Sequence, residues 1–109
     1  AVCGPDGNPI AVHVMDGAFL VSFDVALKKA YTSVAVKMST MELAGLAQPG
    51  GTFYGVDKMD GGKIVIFGGG VPLKAGDTII GGLGISGGTG EEDHSLAQYG
   101  LSVLPEVLA

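Results

Sequence analysis

Apolar residues gather in short runs in separate parts of the chain, and these runs predict β-strands. Ile10–Met15 follows a dense turn sequence, Gly4–Pro9, so it predicts the return arm of a hairpin whose first arm is Ala1–Cys3. Lys63–Phe67 is an apolar run behind a glycine-containing turn and predicts another strand. Thr78–Ser86, rich in glycine and isoleucine, predicts the next strand. The sequence therefore predicts two pairs of strands.

Other segments have apolar positions at helical spacing. Phe23–Val36 predicts a helix with small residues on one face and Ser22 as its N-cap, and Thr40–Ala47 predicts a shorter helix capped by Thr40. Glu91–Leu104 predicts a last helix, because its first residues are acidic and the helix dipole favours negative charge there. The order strand–strand–helix–helix–strand–strand–helix predicts an α/β (α+β) fold with mostly antiparallel strands.

Glycine is concentrated in the second half of the chain. Gly68–Leu73 predicts a loop with close backbone approach, and Lys74–Asp77 predicts a hairpin turn after it. Gly82–Gly87 matches G-x-G-x-x-G between a strand and a helix, which is the context of a dinucleotide-binding turn. The strand and acidic residue that complete such a site do not follow. Close packing of a strand against a helix is therefore the stronger interpretation of these glycines.

Length and composition add a prediction of self-association. A chain of 109 residues and 10.9 kDa predicts one domain over residues 1–109. Only 16% of the residues are charged, against about 25% in an average domain, although a small domain has a large surface to cover. This shortfall predicts that part of the surface is hidden in a homo-oligomer or by a partner.

Charge and cysteine content exclude several classes of partner. The net charge is -5, the chain has no arginine, and its lysines are scattered, so no basic patch is available for nucleic acid or an anionic membrane. The lone Cys3 cannot form a disulfide within the chain and indicates a reducing compartment, which predicts a cytoplasmic protein. No uncharged run is long enough to span a bilayer.

Two side chains in the first predicted hairpin are candidate metal ligands. His13 and Met15 are two positions apart, so on a strand they point to the same face. Imidazole and thioether groups serve as axial ligands to the metal of a porphyrin or corrinoid. Packing against the sheet is the alternative interpretation of both residues.

Several segments, taken in order, resemble one known family. Their spacing is similar to that of the GlcG/HbpS family, which includes the C-terminal domain of PduO-type proteins, and the resemblance runs from Val2 to Leu104. The segments are Asp6–Asn8, Met15–Ala18 (MDGA), Lys29–Ser33 (KAYTS), Gly68–Leu73 (GGGVPL), Gly81–Gly88, and Asp93 followed by Ala97.

The resemblance implies a profilin-like fold, with a central antiparallel sheet and helices packed on it, and homo-oligomers from dimers to octamers. Relatives bind haem or corrinoids, some degrade haem, and others belong to glycolate or diol/glycerol utilisation systems. This chain differs from the family pattern in two ways. Relatives usually begin with a long helix and a full first strand, and neither is expected here, so either the chain is truncated or another chain covers that face. Val14 stands where relatives commonly have an arginine that could hold an anionic group. Lys29 remains a candidate partner for a ligand carboxylate.

The sequence thus predicts an oligomeric accessory protein that binds a tetrapyrrole, either haem or a corrinoid such as cobalamin, with no catalytic residues. Two alternatives stay open: a structural subunit of a glycolate or diol/glycerol utilisation system without a tetrapyrrole, and a haem-degrading enzyme. A small organic acid is a further candidate ligand. His13 is the predicted metal ligand. The predicted cofactor-binding residues are His13, Met15, Asp16, Gly17, Lys29, Tyr31, Thr32, Gly69, Gly70 and Pro72.

Overall fold

Two hairpins form one antiparallel sheet in a computed structural model that describes all 109 residues. The four strands lie in the order β2-β1-β4-β3, so the two central strands come from different hairpins. Across this seam Val2 pairs with Leu83. The strands are β1 (Val2–Cys3), β2 (Pro9–Ala11), β3 (Gly70–Ala75) and β4 (Thr78–Gly84).

Helices follow each hairpin, and two single 3₁₀ turns, Val56–Lys58 and Asp60–Gly62, lie in the long connection before β3. The helices are α1 (Ser22–Ala35), α2 (Thr40–Leu46) and α3 (Gly90–Leu108). This order confirms the predicted α+β, profilin-like fold with a central antiparallel sheet. None of the helices combines the length and the apolar character that crossing a lipid bilayer requires.

Helix α1 packs on one face of the sheet with almost no side chain between them. A Cβ atom on Gly84 would lie 2.0 Å from the carbonyl oxygen of Ala26, and one on Gly82 would lie 2.4 Å from the carbonyl oxygen of Ala30. Real Cβ atoms do not approach so closely, so only glycine allows this contact. The structure therefore confirms that Gly82 and Gly84 of the G-x-G-x-x-G segment serve close packing of the strand on the helix.

Helix α3 covers only part of the opposite face. The register places Ala11, Val2, Leu83 and Val71 in one row across the four strands, and directly paired residues point to the same side of a sheet. Gly100 of α3 lies against this row, because a Cβ atom there would be 2.7 Å from Leu83 Cδ2. Val71 is buried, whereas Ala11 is exposed and Val2 half-buried. The β1–β2 side of this face is thus open to solvent.

The prediction of a strand over Lys63–Phe67 is wrong. Ile64 and Val65 are buried as expected, but the segment pairs with no other strand. Its backbone bonds go to Thr32 instead, whose Oγ1 accepts from the Val65 amide at 3.0 Å and donates to the Lys63 carbonyl at 3.2 Å. The apolar run is anchored to α1 by a side chain and needs no strand neighbour.

The predicted loop over Gly68–Leu73 is also wrong at its C-terminal end, because β3 begins at Gly70. Glycine and proline are compatible with a strand here since β3 is an edge strand, where the missing amide hydrogen of Pro72 costs no ladder bond. The predicted turn at Lys74–Asp77 is confirmed between β3 and β4, with Gly76 at φ +62°.

The helix caps differ from the predictions. Ser22 is the first residue of α1, and no side chain caps that helix. Helix α2 is capped by Ser39, which accepts from the Glu42 amide at 3.1 Å, whereas Thr40 Oγ1 accepts from the Gly70 amide at 2.9 Å. Thr40 therefore connects α2 to β3 by a hydrogen bond, and Ser39 is the N-cap of α2.

Candidate functional site

The largest apolar cavity of the molecule lies on the open part of the sheet, over the seam between β1 and β4. We name it the apolar hollow. Its volume is about 550 Å³, and His13 and Met15 stand at its exposed rim. The lining residues are Ala1, Val2, Ala11, Val12, His13, Met15, Leu83 and Ile85.

His13 and Met15 meet at this rim for a reason other than the one predicted. Strand β2 ends at Ala11, because its partner β1 is only two residues long, and the chain from Val12 to Met15 is irregular. The alternation of a strand therefore does not apply to these two side chains. They share the apolar hollow because the irregular segment runs along its edge.

Asp16 and Gly17 form the turn that follows this edge. Gly17 has φ +78°, and the Ala18 amide donates to the Met15 carbonyl at 3.2 Å. Both residues are exposed beside the rim of the apolar hollow. The turn fixes the point at which the chain leaves the hollow toward α1.

An exposed apolar segment, Val14–Phe23, continues from this turn to the start of α1. Met15 is 73% exposed and Leu20 97% exposed. A row of large apolar side chains on a monomer's surface marks an interaction site more often than a solvated one. The exposed members are Val14, Met15, Phe19, Leu20, Val21 and Phe23.

Among metal-ligating side chains, only His13 and Met15 face the apolar hollow. Cys3 lies nearby in β1 but is buried, and burial raises the pKa of its thiol, which keeps it protonated and a poor metal ligand. The other histidine, His94, lies on α3 and contacts Gln98 at 3.2 Å. No group of three or more His, Cys, Asp or Glu side chains is placed to hold a free metal ion.

Lys29 lies in the interior and is not among the residues that line the apolar hollow. Its side chain is 0% exposed, and its Nζ donates to Asp93 Oδ2 at 3.0 Å and to the Ile85 carbonyl at 2.8 Å. The same ammonium lies 4.8 Å from the centre of the Phe67 ring. Asp93 Oδ1 also accepts from the Gly88 amide at 3.0 Å. The ammonium thus has a full set of partners within the chain and joins α1 to α3.

Three more predicted residues belong to the same interior. Thr32 is buried and holds the segment after the 3₁₀ turns, as described above. Gly69, at φ +130°, would place a Cβ atom 2.3 Å from the Ile85 carbonyl oxygen, and Gly70 would place one 2.4 Å from the Lys29 carbonyl oxygen. These glycines are explained by close backbone packing. Pro72 lies elsewhere, in a groove of about 350 Å³ between β3 and the C-terminal half of α3.

Tyr31 lines a separate cavity that we name the polar groove, between the β1–β2 turn and α1. Its hydroxyl donates to Asp60, and this bond raises the pKa of the Tyr31 phenol. Lys63 Nζ lies 5.2 Å from the centre of the Tyr31 ring. The groove has a volume of about 240 Å³. Its lining residues are Asp6, Gly7, Asn8, Pro9, Leu27, Lys28, Tyr31 and Lys63.

The β1–β2 turn forms one wall of the polar groove. Asp6 accepts from both the backbone amide and the side-chain amide of Asn8, each at 3.0 Å, and these bonds lower the pKa of the Asp6 carboxyl. The ten predicted residues are therefore spread over the apolar hollow, the interior and two other grooves. Only His13, Met15, Asp16 and Gly17 lie at one place, the rim of the apolar hollow and the turn beside it.

Similarity to known proteins extends over nearly the whole chain. Residues 1–102 match the model of the family described as haem degrading protein HbpS-like. The chain is 41% identical over 101 residues to an uncharacterized 15.0 kDa protein of Citrobacter freundii, from the dhaT-dhaS intergenic region, and this match covers 93% of the chain and 71% of that protein.

Two further matches involve PduO proteins. The chain is 47% identical over 98 residues to the corrinoid adenosyltransferase PduO of Salmonella typhimurium, a match that covers 90% of the chain and 29% of that enzyme. A crystal structure of a PduOC:heme complex superposes with a TM-score of 0.88 at 42% identity, over 93% of the chain and 73% of that structure. The chain thus spans under a third of the full adenosyltransferase.

Proposed function

Because this chain belongs to the family of HbpS-like haem-degrading proteins, we propose that it is an accessory protein that binds a tetrapyrrole, haem or a corrinoid, in the apolar hollow. The observation that carries the proposal is a histidine and a methionine at the rim of an apolar cavity of about 550 Å³. Cavities that bind cofactors are mostly apolar, with few polar groups, and span about 300–1,000 Å³. The haem held by the similar PduOC structure supports this ligand class.

The chemistry of the lining fits a metal-bearing tetrapyrrole. The imidazole of His13 offers a nitrogen lone pair to a metal, and the apolar row formed by Val2, Ala11 and Leu83 offers a surface for a flat ring. When bound, the tetrapyrrole supplies the metal centre. Met15 is the second candidate ligand, and Asp16 and Gly17 shape the adjoining rim. Lys29, Tyr31, Thr32, Gly69, Gly70 and Pro72 are left out of this proposed site, because none of them lines the apolar hollow.

A titration followed by absorbance tests the proposal. Purified protein is titrated with hemin and, in parallel, with cobalamin. We expect a saturable spectral shift with one of them, and His13→Ala should weaken binding because it removes the metal ligand. His94→Ala is the matched control, since the other histidine lies on α3 outside the hollow.

The outcomes separate the proposed functions. A shift that is lost equally in both histidine variants contradicts the assignment of His13. The absence of any saturable shift in folded protein refutes tetrapyrrole binding and favours a structural subunit. Loss of the Soret band with reductant and oxygen would favour haem degradation. The hollow supports this last function poorly, because His13 is the only titratable side chain among its lining residues.

We propose further that copies of the chain associate through the exposed apolar segment, Val14–Phe23. Phe19 is 69% exposed and Leu20 almost fully exposed, and an assembly between dimer and octamer would remove such side chains from water. Light scattering tests this. Leu20→Asp should lower the measured mass toward that of the monomer, while Val107→Asp, at another exposed apolar position, should not. A monomeric wild-type protein would rule out the interface.

A further inference from the structure

We propose that the polar groove is a second binding site, for a small molecule that carries a carboxylate group. This inference goes beyond tetrapyrrole binding and uses different residues. The groove and the apolar hollow share no lining residue. The two sites can therefore be tested independently.

The volume of the groove limits the size of its ligand. Its volume of about 240 Å³ is less than half of the 550 Å³ of the apolar hollow. A tetrapyrrole is far larger than this space, whereas a short organic acid is small enough to enter it.

Two lysines and one carboxylate, Asp6, line the groove. The chain has only six lysines and a net charge of -5, yet Lys28 and Lys63 both line this groove. Lys28 Nζ is already held by Asp24 at 2.9 Å, one turn away on α1. Lys63 Nζ is held more loosely, because it lies 3.9 Å from Asp60 Oδ1. Lys63 is thus the cation that can turn to a ligand.

Tyr31 makes it easier for Lys63 to leave Asp60 and bind a ligand carboxylate. Its hydroxyl donates to Asp60, so the Asp60 carboxylate keeps a hydrogen-bond partner when Lys63 moves away. The one carboxylate among the lining residues, Asp6, already accepts two hydrogen bonds from Asn8. A ligand carboxylate therefore competes with one long ion pair at the surface, and such pairs contribute little.

The backbone holds these groups in place before any ligand arrives. Asp60 has φ +54°, which is uncommon for a residue with a side chain, and Gly61 and Gly62 follow at +66° and +79°. On the other side, a Cβ atom on Gly7 would lie 2.8 Å from the Tyr31 ring, so the ring packs directly on the turn. Unusual backbone conformations of this kind are enriched at ligand sites.

The test is a titration of isotope-labelled protein with lactate, a small hydroxycarboxylate, followed by NMR at constant ionic strength. We expect saturable shifts of the Gly7 and Asn8 amides. Lys63→Met should weaken binding about tenfold, which is the effect of one charge-assisted hydrogen bond. Lys74→Met is the matched control, because that lysine is exposed on β3, outside the groove.

Two further arms complete the experiment. Lactamide, which has the same shape without the charge, should cause no saturable shift. Tyr31→Phe should weaken lactate binding, since Asp60 then depends on Lys63 for its partner. Equal responses to lactate and lactamide, an equal effect of Lys74→Met, or the absence of saturable shifts would each overturn the proposal. Hemin titration of Lys63→Met should give the same result as wild type, because Lys63 does not line the apolar hollow. Failure of the tetrapyrrole site and failure of the carboxylate site can therefore be told apart.

Discussion

Removal of the ammonium of Lys29 is expected to destabilise the protein more than any exposed substitution. Lys29→Met keeps most of the side-chain volume and the contact with Phe67, but it leaves the Asp93 carboxylate without its cation. That carboxylate is 4% exposed and would keep only the Gly88 amide as a partner. A buried charge without a counter-ion is costly because water cannot solvate it.

The size of the effect follows from this burial. Breaking a buried ion pair by removing one partner costs about 3–5 kcal/mol. A chain of 109 residues has a total free energy of unfolding of about 5–15 kcal/mol. The substitution should therefore remove a large share of the stability, while Lys74→Met, at an exposed position, should change it by less than about 0.5 kcal/mol.

Urea unfolding followed by circular dichroism measures these differences. The double variant Lys29→Met/Asp93→Asn tests the cause, since it removes the orphaned charge and keeps an acceptor for the Gly88 amide. It should be more stable than Lys29→Met alone. A loss below about 1 kcal/mol in Lys29→Met, or a double variant that is less stable than the single one, would refute the reasoning.

Three other predictions concern the fold and the polar groove. Tyr31 donates to Asp60, which favours the neutral phenol, so this bond stabilises the fold at neutral pH and its contribution is lost as the pH rises through the raised pKa of Tyr31. In an absorbance titration, Tyr31→Phe should remove the tyrosinate step that belongs to this residue. Gly84→Ala should cost about 3 kcal/mol in urea unfolding, because its Cβ would meet the Ala26 carbonyl oxygen. Gly45→Ala, in open space on α2, should instead raise the unfolding free energy by about 0.5–1 kcal/mol.

The order of elements could be predicted from the sequence, but the identity of one strand could not. Apolar residues at 63–67 and glycines at 68–73 favoured a strand followed by a loop. In the structure the first segment is irregular and β3 begins inside the second. The buried Val65 amide is satisfied by the Thr32 hydroxyl instead of a neighbouring strand. Gly70 is a glycine because its strand lies directly against the backbone of α1. The cap of α2 had a readable signal, since Ser39 and Glu42 have the spacing of a capping box.

Of the ten residues predicted to bind a cofactor, only four lie in or beside the apolar hollow. The residues that stay together are neighbours in sequence, such as His13 and Met15, because local spacing limits how far they can separate. Lys29 and Asp93 are 64 positions apart, and no periodicity connects them. Their pairing depends on how α1 and α3 cross the ends of the sheet, which is a property of the tertiary fold.

The strand order also determines how the protein reaches its folded state. β3 and β4 are joined by a short turn, so they can pair early, whereas Val2 must find Leu83 across about 80 residues, at an entropic cost of about 4 kcal/mol. Contacts of such long range slow folding. The apolar hollow lies on this seam, so it exists only after the two hairpins have joined. A partly folded chain with an intact β3–β4 hairpin would lack the proposed tetrapyrrole site.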